Sequence, residues 1–130
     1  MNLADTIPFA NTMGVEIVEA TPDRVVARLV VRPDLCTGGG ILHGGAIMAL
    51  ADTVGAVGAF LSLPPGATGT TTIESKTNFL GSAKAGTTVT AEATPAHKGK
   101  STSVWQTQIA RDDGKAVALV TQTQMVLGPR

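Results

Sequence analysis

Two patterns of hydrophobic and polar positions divide the chain. Short stretches rich in β-branched residues are typical of β-strands, whereas one long run, apolar around nearly its whole helical circumference, predicts a helix surrounded by protein. The predicted strands run from Val15 to Ala20, Arg24 to Val31, Thr68 to Phe79, Thr87 to Ala96, Ser101 to Arg111 and Ala116 to Leu127, and the predicted helix from Ala46 to Leu61. No repeat or linker interrupts this order, so residues 1–130 are expected to form a single domain.

Tight turns between the predicted strands set their direction. Thr21-Pro22-Asp23, Lys98-Gly99-Lys100 and Asp112-Asp113-Gly114 have the composition of hairpin turns, so the strands should be antiparallel. Because a helix of about 18 residues is about 27 Å long, only a strongly curved sheet can enclose it. The expected fold class is α+β. Val26 and Val30 on the outer face of the second strand favour a partner surface, most simply in a homodimer.

Small residues recur along the predicted helix. Ala51, Gly55 and Ala59 lie at every fourth position, which leaves one stripe without bulk. Glycine lowers helix propensity by about 1 kcal/mol relative to alanine, and close packing is the usual compensation. We therefore expect a neighbouring element to approach the helix closely along this stripe.

Charge and composition exclude several classes of function. Ten Lys and Arg balance ten Asp and Glu, so neither nucleic acid nor an anionic membrane is an expected partner. Cys36 is the single cysteine, which excludes an intrachain disulfide and a four-cysteine zinc site. The first residues lack the pattern of a secretory signal, and the apolar run is about one turn short of a bilayer span. A cytoplasmic protein is expected.

Asp52 is the most informative residue, because it lies in the middle of the apolar helix. A carboxylate in dry surroundings is costly, and the usual outcomes are a raised pKa, specific hydrogen bonds or a wet pocket. Each of these three environments allows a carboxylate to act as a general base or a nucleophile. The structural alternative is an aspartate that caps or pairs with Arg24, Arg28 or a strand threonine.

A second candidate site is the start of the helix, at His43-Gly44-Gly45. Backbone amides there lack intrahelical partners and lie at the positive end of the helix dipole, so they can bind a carbonyl oxygen or an oxyanion. The alternative is a flexible helix entry with a histidine that caps its own loop. His43 and Asp52 are nine residues apart and cannot form a dyad within one helix, so a joint site would use the amides of Gly44 and Gly45.

Other combinations of residues are weaker indications of a functional site. Cys36 with His43 lacks an orienting third group, and His43, His97 and Asp52 lack metal-ligand spacing, so no metal is expected. The glycine-rich segment before His43 matches no phosphate-loop or dinucleotide pattern. The basic turn of His97, Lys98, Gly99, Lys100 and Ser101 can hold phosphate, or it is a solvated hairpin tip.

These features together resemble a known family. His43-Gly44-Gly45, then Leu50-Ala51-Asp52-Thr53, then Asn78-Phe79-Leu80 resemble the hotdog-fold acyl-CoA thioesterases, above all the phenylacetic-acid-degradation type. The similarity runs from about Met13 to Leu127. It implies five or six antiparallel strands wrapped around the long helix. It also implies dimers joined through their sheet edges, many of which pair into tetramers, with active sites at the dimer interface.

The resemblance assigns roles to individual residues. It makes Asp52 the general base or nucleophile, the Gly44 amide the group that polarises the thioester carbonyl, and Thr72 the hydroxyl that orients water. The basic turn would contact the nucleotide end of coenzyme A. Relatives often have Asn or Gln six residues before the histidine, where this chain has Thr37, which lacks an amide and reaches less far.

An acyl-CoA thioesterase without a metal or redox cofactor is therefore the expected function. It would hydrolyse an acyl- or aryl-CoA to the free acid and coenzyme A. The alternative from another class is a non-catalytic acyl-CoA binding module, which Thr37 favours modestly. A hotdog dehydratase would need a histidine paired with a carboxylate, which the sequence does not place.

Overall fold

The computed structural model describes residues 2–128. Its strands are β1 (Glu16–Thr21), β2 (Arg24–Val30), β3 (Gly69–Phe79), β4 (Thr88–Lys98), β5 (Thr102–Arg111) and β6 (Ala116–Leu127). Its helices are a short α1 (Pro8–Met13) and a long α2 (Gly44–Leu61), with 3₁₀ turns at Leu3–Thr6 and Pro33–Leu35. The six strands and the long helix predicted from the sequence are confirmed, and α2 begins two residues earlier than expected because His43 caps it.

All six strands form one antiparallel sheet in the order β1-β2-β4-β5-β6-β3. The sheet curves around α2, which contacts every strand. The expected architecture of a long helix wrapped by a curved sheet is confirmed. In this order β1 and β3 are the two edge strands, so one side of β3 has backbone groups without a strand partner among the described residues.

The small-residue stripe of α2 lies against the inner face of the sheet, as predicted. Ala51 and Ala59 are buried, and a Cβ on Gly55 would come within 2.6 Å of the Gln122 side chain. Beside the stripe, a Cβ on Gly58 would come within 2.5 Å of the Trp105 ring. Trp105 is completely buried and is the largest side chain of the core. Glycine at these positions therefore lets two large side chains lie directly on the helix backbone.

One face of α2 is open, contrary to the expectation that protein surrounds the whole helix. Met48, Asp52, Phe60 and Leu61 are exposed, because the strands cover only the opposite side. By length and composition α2 could cross a membrane, with a mean hydropathy of 1.6, but half of it is buried against the sheet. On the outer surface Val30 is exposed as expected, whereas Val26 is buried.

Candidate active site

Asp52 lies on the open face of α2 with its carboxylate exposed. Its Oδ1 accepts a hydrogen bond of 2.6 Å from the Thr72 hydroxyl and one of 3.4 Å from the Gln122 amide. Neither Arg24 nor Arg28 contacts it; Arg24 instead pairs with two glutamates of the sheet. Of the structural alternatives, only the bond to a strand threonine is found, and the carboxylate has no cationic partner among residues 2–128.

A chain of hydrogen bonds stands behind Asp52. Thr72 Oγ1 accepts from Gln124 Nε2 at 2.5 Å, and Gln124 Oε1 accepts from the Thr70 hydroxyl at 3.0 Å. Because Thr72 already accepts from Gln124, its single proton is directed to Asp52. Asp52 Oδ2 has no hydrogen-bond donor within the described part of the chain. The carboxylate is thus fixed through one oxygen and free at the other.

Within residues 2–128, two amides of the helix start have no acceptor, those of Gly44 and Ala46. His43 caps α2, and its Nδ1 accepts the Gly45 N–H at 2.8 Å. The Gly44 N–H has no acceptor among residues 2–128, and it lies at the positive end of the helix dipole. Of the two amides expected to bind substrate, that of Gly44 is available and that of Gly45 is occupied by the histidine ring. The capping role considered for His43 is therefore present.

Position 44 is also closely packed. A Cβ there would lie 3.2 Å from the Phe79 ring, so that ring covers the first turn of the helix on one side. Phe79 itself is 54% exposed. The free Gly44 amide therefore lies beside an aromatic surface that is open to a ligand.

Gly44 and Asp52 are separated along the same helix. They are eight residues apart, which is about 12 Å along the axis at about 1.5 Å per residue. A reacting carbonyl needs both groups at about 3 Å. One copy of the chain therefore cannot place both groups on one small functional group.

An apolar cavity of about 340 Å³ adjoins the Asp52 network. Its lining residues are Leu3, Thr6, Ile7, Ala56, Val57, Phe60, Leu61 and Thr70. Ala56 lies one helical turn beyond Asp52, and Thr70 belongs to the hydrogen-bond chain. The N-terminal residues of the lining follow Asn2. The Asn2 side chain donates to the Val15 carbonyl oxygen at 2.8 Å and accepts the Ile17 N–H at 2.9 Å. The cavity therefore reaches within one helical turn of Asp52, which itself is not part of the lining.

Comparisons with known proteins identify the family. The sequence model of the Thioesterase superfamily matches residues 39–118. The 1,4-dihydroxy-2-naphthoyl-CoA hydrolase of Listeria monocytogenes is 35% identical over 108 residues, which cover 83% of this chain and 86% of that protein. This chain belongs to the thioesterase superfamily.

Solved structures of similar proteins agree with this membership. The E. coli PaaI protein from the phenylacetic acid degradation operon has a TM-score of 0.87 at 27% identity, covering 97% of this chain and 88% of that chain. A Streptococcus mutans protein bound to acetyl-CoA has a TM-score of 0.81 at 26% identity, covering 89% of this chain and 90% of that chain. The predicted hotdog fold is confirmed. The phenylacetic-acid-degradation type stays a prediction, because the relatives carry several different names.

Thr37 lies apart from the Asp52 network of this thioesterase-superfamily chain. Its hydroxyl accepts the Gly39 N–H at 3.2 Å, and its backbone pairs with Ile41 and Gly40. The side chain is exposed and stabilises its own glycine-rich loop. No hydrogen bond links Thr37 to Asp52 or Gly44 within the described residues.

The basic turn between β4 and β5 lies near the C-terminal end of α2. Lys98 and Gly99 share a small surface depression with Ala59 and Ser62 of that helix end. Lys98 forms an ion pair of 2.7 Å with Asp23, whereas Lys100 has no carboxylate partner in the described range. His97 is exposed. The predicted phosphate-binding turn therefore offers one unpaired ammonium group.

No metal centre is found among residues 2–128, where no three His, Cys, Asp or Glu side chains come together. Cys36 lies beside His43 in the lining of a separate cavity of about 330 Å³ at the helix start. Its thiol donates to the Arg32 carbonyl oxygen at 3.4 Å. The site is thus built from a carboxylate, neutral donors and a backbone amide.

Sequence reasoning missed Gln122 and Gln124, both completely buried in β6. The available signal was two glutamines two positions apart in a strand whose same-face neighbours Val120 and Val126 are apolar. Polar residues in an inward-facing row that is otherwise apolar indicate a buried hydrogen-bond network. Here that network leads to Asp52.

Proposed function

We propose that this protein hydrolyses acyl-CoA thioesters to the free carboxylic acid and coenzyme A. The observation that carries the proposal is the Asp52 carboxylate on the open face of α2, with Oδ1 held by Thr72 and Gln122, Oδ2 without a donor among residues 2–128, and an apolar cavity one helical turn away. Membership of the thioesterase superfamily supports the reaction type. A thioester is already activated, so one placed carboxylate and one polarising amide are sufficient.

The complete site requires two copies of the chain. Gly44 and Asp52 of one copy are about 12 Å apart, so Gly44 of one protomer must face Asp52 of its partner. Antiparallel apposition of two α2 helices through their open faces achieves this in a two-fold dimer. The free edge of β3 supports the same arrangement, because two such edges can join the sheets. We propose a homodimer as the active unit, and pairing into a tetramer remains compatible with it.

In the proposed reaction the thioester carbonyl oxygen accepts the Gly44 N–H at the helix start. Asp52 Oδ2 takes a proton from water, whose oxygen bonds to the carbonyl carbon. The oxyanion that forms is stabilised by the amide and the helix dipole. The C–S bond then breaks, the acid is released, and the thiolate of coenzyme A takes up the proton. In the nucleophilic alternative Oδ2 bonds to the carbonyl carbon, the C–S bond breaks and the coenzyme A thiolate leaves; water then hydrolyses the mixed anhydride to the free acid and restores the Asp52 carboxylate.

The acyl group is placed in the apolar cavity one turn beyond Asp52. The lining by Ala56, Val57 and Phe60 favours an unsubstituted alkyl or aryl group over a charged one. The Thr6 and Thr70 hydroxyls are the polar side chains in the lining among the described residues. Lys100 is proposed to contact a phosphate of coenzyme A, since it is the unpaired lysine of the basic turn.

A non-catalytic acyl-CoA binding module is the second candidate. Thr37 favours it, because its hydroxyl is used within its own loop and provides no amide for the substrate. A dehydratase would need the His43 ring paired with a carboxylate, and within one copy of the chain its Nδ1 accepts the Gly45 N–H instead.

Release of coenzyme A distinguishes the two candidates. Free thiol is followed with a thiol reagent across alkyl and aryl acyl-CoA substrates, for the wild type and for Asp52→Asn. The thioesterase proposal expects turnover by the wild type and a loss of about 10²–10⁴-fold in Asp52→Asn, whose shape is nearly unchanged. Asp112→Asn, in an exposed hairpin turn, is the control and should retain full activity. Binding of acyl-CoA without thiol release would favour the binding module instead.

A further inference from the structure

Two glutamines occupy the inward face of β6 where apolar residues are expected. The inward row of this strand consists of Ala118, Val120, Gln122, Gln124 and Val126, and both glutamines are completely buried. The Gln122 Oε1 has no hydrogen-bond partner among residues 2–128. A buried unpaired acceptor destabilises a fold, whereas a methionine of similar length would fill the same space. Packing and stability therefore do not account for the Gln122 amide.

A glycine in α2 leaves space for the Gln122 amide. Any Cβ at Gly55 would lie 2.6 Å from the Gln122 side-chain carbon and 2.7 Å from its Nε2. Gly55 is three residues beyond Asp52 on the same helix, so the amide passes over the helix backbone and reaches the carboxylate. Its Nε2 donates to Asp52 Oδ1 at 3.4 Å. The glycine and the glutamine thus act as a pair.

Gln124 acts one step further away. Its Nε2 donates to the Thr72 hydroxyl, which then donates to the same Asp52 Oδ1. Its Oε1 lies 3.0 Å from the Thr70 hydroxyl, whose single proton is shared with the Met125 carbonyl oxygen, also at 3.0 Å. Both glutamines therefore direct donors to one carboxylate oxygen, Gln122 directly and Gln124 through Thr72.

We propose that Gln122 and Gln124 are positioning residues that hold the Asp52 carboxylate in one rotamer, with Oδ2 presented to the substrate. The effect on kcat that this inference predicts rests on the proposed function. The geometric part, that the amides orient the carboxylate, applies with or without catalysis. The glutamines do not touch substrate, because they are completely buried behind the carboxylate.

The kinetic test compares Gln122→Met and Gln124→Met with Gln108→Met, an exposed glutamine on the outer face of β5. Both buried variants should lower kcat at least tenfold, with KM changed less than twofold, because binding groups are untouched. The melting temperature of Gln122→Met should not fall, since an unpaired acceptor is removed. Gln108→Met should match the wild type. An unchanged kcat in a folded Gln122→Met dimer would overturn the proposal.

A second measurement separates this proposal from the proposed function. If the wild type releases no thiol from any acyl-CoA, the thioesterase assignment fails, and orientation is tested by side-chain amide NMR. The Gln122 and Gln124 NH₂ resonances should both shift in Asp52→Asn, whereas that of Gln108 should stay unchanged. Unchanged Gln122 and Gln124 resonances would overturn the positioning proposal by itself, whatever the activity.

Discussion

The Thr72 hydroxyl of the edge strand β3 donates a 2.6 Å hydrogen bond to Asp52 Oδ1 in the middle of α2. The pairing of β3 with β6 is irregular between Thr72 and Glu74, where one extra residue is inserted. The bulge changes which side chains of the edge strand face the helix. A residue of the edge that is proposed to join two protomers thus contacts the carboxylate directly. In the proposed dimer, assembly would therefore be coupled to the orientation of Asp52 through Thr72.

Gly44→Pro tests the proposed oxyanion-binding amide. Proline removes the N–H, is well tolerated at the first position of a helix, and suits the extended backbone of His43 before it. We expect kcat to fall by about 10²–10³-fold, as for loss of one oxyanion donor. Gly44→Ala is the matched control, because it brings the same Cβ against Phe79 but keeps the N–H. Equal losses in the two variants, measured by thiol release, would show that packing and not the amide matters.

Ala56→Leu tests the location of the acyl group. The larger side chain fills part of the cavity one turn beyond Asp52, which should exclude long acyl groups before short ones. Across a series from acetyl- to decanoyl-CoA, kcat/KM should fall by about tenfold or more for the longest substrates, with acetyl-CoA little changed. Ala96→Leu, at an exposed position of β4, is the control. A uniform decrease along the series would place the acyl group elsewhere.

Lys100→Ala tests the contact with the nucleotide end of coenzyme A. The variant should raise KM for an acyl-CoA by about threefold to tenfold, and more at low salt, because one phosphate contact is lost. The KM for the corresponding acyl-pantetheine, which lacks the nucleotide, should not change. Lys98→Ala should have a smaller effect, since Lys98 is paired with Asp23. An equal rise of KM for both substrates would contradict the assignment.

The sequence predicted the elements and the candidate carboxylate because these depend on local pattern. The apolar run over α2, the hairpin turns and the close approach at Gly55 follow from spacing and residue size. The partners of Asp52 depend instead on which face of β6 points inward. That strand carries threonines on one face and Gln122 and Gln124 on the other, so alternation alone does not distinguish the faces.

The state of the helix start was predictable only in part. An unpaired amide at the start of α2 follows from helix geometry, and the sequence placed Gly44 and Gly45 there. That the His43 ring takes the Gly45 amide depends on one side-chain rotamer. The open face of α2 was missed because an isolated sequence does not show whether a sheet or a second copy of the chain covers an apolar helix. Burial of that face requires the partner proposed above.

Mixing two inactive variants tests whether the site crosses the dimer interface. In a mixed dimer of Asp52→Asn and Gly44→Pro, one site would combine the intact Gly44 of the first protomer with the intact Asp52 of the second. The other site would carry both substitutions. After dissociation and random reassociation of equal amounts, about a quarter of the sites should be intact, so about a quarter of wild-type kcat should return. Each variant taken through the same procedure alone should stay inactive. A mixture that forms mixed dimers, confirmed by mass spectrometry of differently tagged protomers, yet stays inactive would show that no site combines Gly44 of one protomer with Asp52 of the other.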